Sequence, residues 1–294
     1  MQGDLDRLSR RGFLGGVAGG LAAAAVSGGA RAEGTPLAAS RPVLGRTGLR
    51  PSLLGMGTGT KAWNKNSAQI RRGEEVFVGN LLHAHARGVR FFDLADQYGS
   101  HEYMRRALTE GKLDRGDLFI LTKTNAKDAA GVRDDLDRMR REAGVEYFDA
   151  VLLHCMTEAD WPEKMRPCMD VLSEARERGI VRAHGVSCHS LEALNRAADS
   201  DWVQVMLSRI NPWGTKMDGP PETVVPVLQR AHASGKGMLG MKIAGEGAHG
   251  DKITESLEFV SKQGCIHTVT IGFVERAEID AAFESVERGW KPGG

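Results

Sequence analysis

Cysteine is scarce in this chain: four residues in 294, Cys155, Cys168, Cys188 and Cys265, far apart and without a Cys-x-x-Cys pair. That spacing excludes the paired-thiolate zinc and iron–sulfur motifs and leaves free thiols as the default. Tyrosine is scarcer still, with three. An excess of charge of either sign is lacking too, since 39 Lys and Arg face 38 Asp and Glu. A near-neutral chain has no electrostatic reason to seek nucleic acid or a membrane surface. No Gly-x-Gly-x-x-Gly follows the first apolar strand, which counts against a Rossmann dinucleotide fold.

Long hydrophobic runs are also missing. The nearest thing to one lies at 13–30 and is too rich in Gly and Ala for a membrane span. It follows Ser9-Arg10-Arg11-Gly12-Phe13-Leu14 and ends in Ala30-Arg31-Ala32, the small-x-small pattern cut by signal peptidase. Residues 1–32 read as a twin-arginine export signal. The expectation is therefore a periplasmic protein that meets the Tat translocase during export and has no stable membrane insertion once the signal is cleaved. Setting aside the signal's four arginines and two aspartates takes the formal charge from +1 to −1. Residues 33–41 read as a polar linker, and 42–294 as a single domain.

What is present is a repeated device. The apolar run at 89–93 ends on Asp93, with Tyr98 in the turn beyond it; the run at 118–123 ends on Lys123; the run at 148–154 ends on His154. These ends lie about thirty positions apart, roughly one strand–helix unit of a parallel α/β chain. Period-2 alternation places Asp93 on the face of Phe91, Lys123 on that of Phe119 and Leu121, and His154 on that of Leu152. Further strands are expected at 53–57, 181–187, 203–207, 237–243 and 267–271, with helices between them. Eight such units favour a closed (β/α)8 TIM barrel over an open sheet. Before the barrel, Val43 and Leu44, the turn at 45–48, and 49–54 suggest a short β-hairpin.

The pattern Asp93, Tyr98, Lys123, His154, with Gly-Arg-Thr-Gly-Leu at 45–49 before it and Gly-Val-Ser at 185–187 after it, resembles the aldo-keto reductase family over about 41–286. The resemblance implies a hairpin closing the barrel bottom and a catalytic tetrad of these four residues. Tyr98 would be the general acid. A phenol with an ordinary pKa near 10 is a poor acid unless a cation lowers that value; Lys123, held by Asp93, would be the cation. His154 would hydrogen-bond and align a small carbonyl substrate.

No side chain here supplies a hydride, so a reductase of this kind needs a nicotinamide, NADP(H) or NAD(H). Gly57 and Thr58 end the first strand where a ligand could approach the backbone closely. The resemblance assigns Ser187 to the carboxamide, but Cys188 stands for the usual asparagine and Leu207 for the usual glutamine. Trp213 falls where the family stacks a tyrosine on the nicotinamide ring, and Ala244 and Gly245 fall in its pyrophosphate loop. At the adenosine end, Gly272 opens a loop in which Arg276 lies between Glu275 and Glu278. Acidic groups there would repel a 2′-phosphate, and the choice between the two cofactors stays open.

Lys242 is a further cation near the barrel mouth, read as a local salt bridge before a substrate-attracting charge. No metal is expected. Two alternatives to a reductase remain: a non-catalytic nicotinamide-binding, redox-sensing partner protein, and a metal-dependent barrel hydrolase using Asp93, His154 and His189.

Overall fold

The structure, a computed structural model, describes residues 34–291; residues 1–32, read from the sequence as an export signal, lie outside them. Alternation of strand and helix follows the pattern of apolar runs. The strands are β1 (Leu54–Gly57), β2 (Phe91–Asp93), β3 (Phe119–Thr124), β4 (Phe148–Met156), β5 (Val181–Cys188), β6 (Val205–Arg209), β7 (Gly237–Met241) and β8 (Thr268–Gly272). All neighbours are parallel, and β8 pairs with β1 to close the barrel. Around it run the helices α1 (Ala68–Arg71), α2 (Glu74–Ala86), α3 (His101–Glu110), α4 (Ala129–Ala143), α5 (Trp161–Lys164), α6 (Arg166–Glu177), α7 (Leu191–Asp199), α8 (Pro221–Ala233), α9 (Ile253–Lys262) and α10 (Arg276–Gly289). Local chemistry sets several helix starts: the Asp128 carboxylate accepts the Gly131 N–H and the Ser190 hydroxyl accepts that of Ala193. Among the described residues no helix is long and apolar enough to cross a membrane.

Strand alternation sorts the apolar residues into two bodies. Phe91, Phe119, Leu121, Ala150, Leu152, Val205, Leu207 and Leu239 fill the barrel interior, while Phe92, Ile120, Val151 and Val186 face outward under the helices. Each such Phe, Leu, Ile or Val side chain removed from water contributes about 1.5–3 kcal/mol. Glycine makes the interior possible at two places. A Cβ on Gly55 would lie 2.2 Å from the Phe91 ring, and one on Gly185 would lie 1.8 Å from the Val205 carbonyl.

The N-terminal hairpin does not form as a ladder. Residues 45–47 make a 3₁₀ turn, and one backbone bond, Leu44 N–H to Leu49 O at 2.8 Å, bridges the segment. Pro42 and Pro51 remove donors, and the Leu53 N–H goes to Ser40 O instead. The segment still closes the barrel bottom, because Leu44 is fully buried among the interior residues. The stretch read as a linker is docked as well. Ala38 is fully buried, and Arg41 donates to the Asp117 carbonyl at 3.0 Å.

Candidate active site

At the C-terminal ends of the strands a cavity of about 380 Å³ opens. Asp93, Tyr98, Lys123 and His154 all line it, brought there by β2 and the turn after it, β3 and β4. Lys123 has no solvent exposure and Asp93 is 5% exposed. The Lys123 ammonium forms an ion pair with the Asp93 carboxylate and donates to the Leu94 carbonyl at 2.9 Å. Its Nζ lies 3.4 Å from the Tyr98 hydroxyl. Burial pulls the Lys123 ammonium downward from its ordinary range, and the Asp93 carboxylate opposes that pull.

Tyr98 ends a 3₁₀ turn whose closing residue, Gly99, has φ of 70°. The β1 loop lies directly on the phenol: a Cβ on Gly59 would sit 2.4 Å from the ring. The expected lowering of the phenol's pKa is not found. Burial first, then the Asp93 carboxylate, push Tyr98 well above its ordinary value. The Lys123 charge is already engaged by Asp93, so it does not outweigh them.

The His154 ring stands edge-on to Tyr98, with centroids 5.8 Å apart. It is 4% exposed, its Nδ1 is buried without a hydrogen-bond partner, and burial followed by the Lys123 charge holds it well below the usual histidine pKa. The ring is therefore neutral at working pH. Its placement depends on a feature absent from the sequence reading. Leu153 pairs with Val186 but Met156 pairs with Cys188, so β4 spends one extra residue against β5. This bulge sits at His154 and Cys155, and Cys155 takes φ of 61°.

The remaining cofactor candidates divide. Gly57, Ser187, Ala244 and Gly272 line the cavity. Thr58, Cys188, Trp213, Gly245 and Arg276 do not lie on its wall. Thr58 is buried, donating from its hydroxyl to Asp93 O at 2.8 Å and lying 2.7 Å from Ser100 Oγ, which ties β1 to β2 and α3. Cys188 is 1% exposed and packs in the outer core. Trp213 is stacked on His249 at 4.1 Å. The Asn211 side-chain Oδ1 turns that loop by accepting the Trp213 and Thr215 N–H groups, and Thr215 Oγ1 holds His249 at 2.9 Å. Gly245 leaves room for this packing, since a Cβ there would lie 2.9 Å from both His249 and Thr215. The Arg276 guanidinium lies against Gly79 of α2, and Glu278 lines the cavity in its place.

Thr270, which the sequence analysis did not single out, and Lys242, expected near the barrel mouth as a local salt bridge, add to the wall. Thr270 lines it with a buried hydroxyl lacking a partner; alternation along β8 was the available signal. Lys242, with φ of 58°, lines it too and donates to Glu246 at 2.6 Å. Asp93 is committed to Lys123, and among the described residues no group of three His, Cys, Asp or Glu could hold a metal ion, so the hydrolase alternative has no support.

A parallel eight-stranded barrel thus carries an Asp–Lys–Tyr set and a neutral histidine in one cavity at its C-terminal mouth. The chain belongs to the aldo/keto reductase family, whose profile matches residues 54–289. It is 30% identical over 134 residues to the NAD/NADP-dependent indole-3-acetaldehyde reductase of Schizosaccharomyces pombe, covering 45% of each chain. The chain spans about half the length of the curated relatives it matches. In fold it is similar to a Pseudomonas aeruginosa chain provisionally assigned to the aldo-keto reductases (21% identity, TM-score 0.72, covering 90% of this chain and 98% of that one). It is also similar to a Bombyx mori aldo-keto reductase in complex with NADP (17% identity, TM-score 0.64, 84% and 88%).

Proposed function

We propose that this chain is an oxidoreductase that passes a hydride between a nicotinamide cofactor and a small aldehyde or ketone, or the corresponding alcohol. The observation that carries the reading is the Lys123 ammonium, paired with Asp93 and 3.4 Å from the Tyr98 hydroxyl, in one cavity with a His154 whose Nδ1 has no hydrogen-bond partner. The cavity wall fits a dinucleotide. It is glycine-lined at Gly57, Gly59, Gly247 and Gly272, where added Cβ atoms on Gly59 and Gly272 would meet Tyr98 and Thr60 at 2.4 and 2.0 Å. Thr270 and Ser187 add hydroxyls. Gly57, Ser187, Ala244, Thr270 and Gly272 would hold the cofactor, which supplies the hydride when bound.

The protein's own part is proton transfer and alignment. His154, neutral, donates a ring N–H to the carbonyl oxygen and fixes its position. Tyr98 stays protonated because of its raised pKa, and donates its hydroxyl proton as that oxygen becomes an alkoxide, a stronger base than the phenolate left behind. Lys123, 3.4 Å away, faces the phenolate as it forms. Replacing Tyr98 by Phe should keep cofactor binding and lower kcat by about 10² to 10⁴.

Glu278 on the cavity wall, with Arg276 turned toward α2, supports NAD(H) over NADP(H). A carboxylate repels a 2′-phosphate and accepts a ribose hydroxyl. Arg10, Arg11 and the Ala30-Arg31-Ala32 site support export through the Tat translocase to the periplasm. A reporter that works only after export, fused behind residues 1–40, should lose its signal when Arg10 and Arg11 are both changed to Lys; undiminished export would remove this part of the reading.

A further inference from the structure

Three of the four cysteines, Cys168, Cys188 and Cys265, are no more than 1% exposed. Cys155 differs in every respect. It is partly exposed, sits on the β4 bulge with φ of 61°, and its N–H is held by Ser187 Oγ at 3.0 Å. Its Sγ lies 3.6 Å from His189 Nε2. His189 lines the carbonyl cavity, while Cys155 faces a second cavity of about 290 Å³ with Lys127, Met156, Glu158, Trp161 and Lys164. Lys164 is engaged by Glu158 and Asp160, whereas Lys127 makes no ion pair among the described residues. Carbonyl reduction has no use for this thiol–imidazole pair, and a left-handed conformation at a non-glycine residue has a cost that points to a constrained role.

We propose that Cys155 is a modification site for soft carbon electrophiles of the α,β-unsaturated aldehyde class, activated by His189, and that its capture disables the neighbouring carbonyl site. In the step, Sγ bonds to the β-carbon of the enal and the carbon–carbon π pair moves toward the carbonyl. The thiol proton passes to His189 Nε2, in the tautomer protonated at Nδ1, and then to the α-carbon. Nothing is oxidised or reduced, and no further reactant is needed. Burial holds the thiol above its ordinary pKa although Lys123, Arg209, Lys127 and Lys242 pull it down, and His189 is depressed to about 4. The resting pair is thus a neutral thiol beside a neutral imidazole 3.6 Å away, and the thiolate forms only as Sγ attacks, under the pull of the four surrounding cations. The adduct would disable the site through the chain itself, because Cys155 follows His154 and its backbone N–H donates to Ser187 Oγ.

The test treats the full-length protein with crotonaldehyde, traps adducts with borohydride and maps them by peptide mass, a readout that needs no turnover and so stands apart from the reductase reading. One adduct is expected, at Cys155, forming roughly tenfold or more faster than at any other cysteine, with both His189→Asn and His189→Gln slowing it by a similar factor. Equal labelling of all four cysteines, or unchanged rates in folded His189 variants, would overturn the site. Cofactor titration of the adduct, with treated Cys155→Ser as control, reads the second half. Binding or reduction lost in proportion to the adduct supports it, and an adducted protein with both intact overturns it.

Discussion

At the residue scale, the site is a problem of unequal electrostatic partners. Lys123 and Asp93 are buried together, so each needs the other. Removing one partner strands a buried charge, and Lys123→Met should cost about 3–5 kcal/mol of stability, measured by urea unfolding; a loss well under 1 kcal/mol would mean water reaches the pair. Tyr98 is the acid in one direction of reaction and the base in the other, with Lys123 3.4 Å from its hydroxyl. With its pKa raised, Tyr98 is protonated below and through neutral pH, so carbonyl reduction should be flat from about pH 6 to 9. Alcohol oxidation needs the phenolate and should rise across the same range. His154, with its pKa lowered, adds no fall near pH 6.5. Parallel pH profiles of kcat/KM in both directions check the assignment. That these four residues share one cavity was legible because Asp93, Lys123 and His154 lie near strand ends with the right parity and Tyr98 lies in the turn after Asp93. The sign of the Tyr98 shift was not, since burial depth and the prior engagement of Lys123 by Asp93 belong to three-dimensional packing.

At the scale of elements, loops decide where strand ends point. The β1 loop lies on the phenol ring, so Gly59→Ala, whose Cβ would fall 2.4 Å from Tyr98, must displace the ring. A shift of this kind should lower kcat about a hundredfold with little change in melting temperature. At the opposite end, Leu44 fills the bottom of the barrel. Leu44→Ala should cost about 2–5 kcal/mol while leaving kcat unchanged, which separates closure from catalysis. The sequence showed that 43–54 covers this end but not how. Two prolines and a turn can serve a ladder or a plug, and only the competing acceptor at Ser40 decides between them. Trp213 and Arg276 show the same limit. Their spacing is right for the family pocket, yet Asn211 and the packing at Gly79 turn them elsewhere.

For the whole molecule, eight strand–helix repeats were legible because periodicity survives in every unit, and closure follows from their number. The bulge in β4 was not, since one extra residue leaves no mark on an apolar run. Stability as a function of pH is a property of the whole chain. His101 is depressed to about 3, and His184, His189 and His267 to about 4, mainly by burial. The unfolded chain takes up those protons near pH 6.5 and the folded chain does not. Stability should therefore fall as pH drops from about 6.5 toward 4. Asp218, raised by burial to about 6, acts in the opposite sense, one group against these histidines and His154. A urea midpoint that stays constant between those pH values would contradict the burial of the histidines.

The most direct test of the central claim is a fluorescence titration of the full-length protein with NADH and NADPH in parallel, repeated on Tyr98→Phe and followed by carbonyl reduction on both. The account predicts that NADH binds more tightly than NADPH, that Tyr98→Phe binds it equally well, and that reduction falls by about 10² to 10⁴. Failure of both cofactors to bind, or undiminished reduction by Tyr98→Phe, would contradict it.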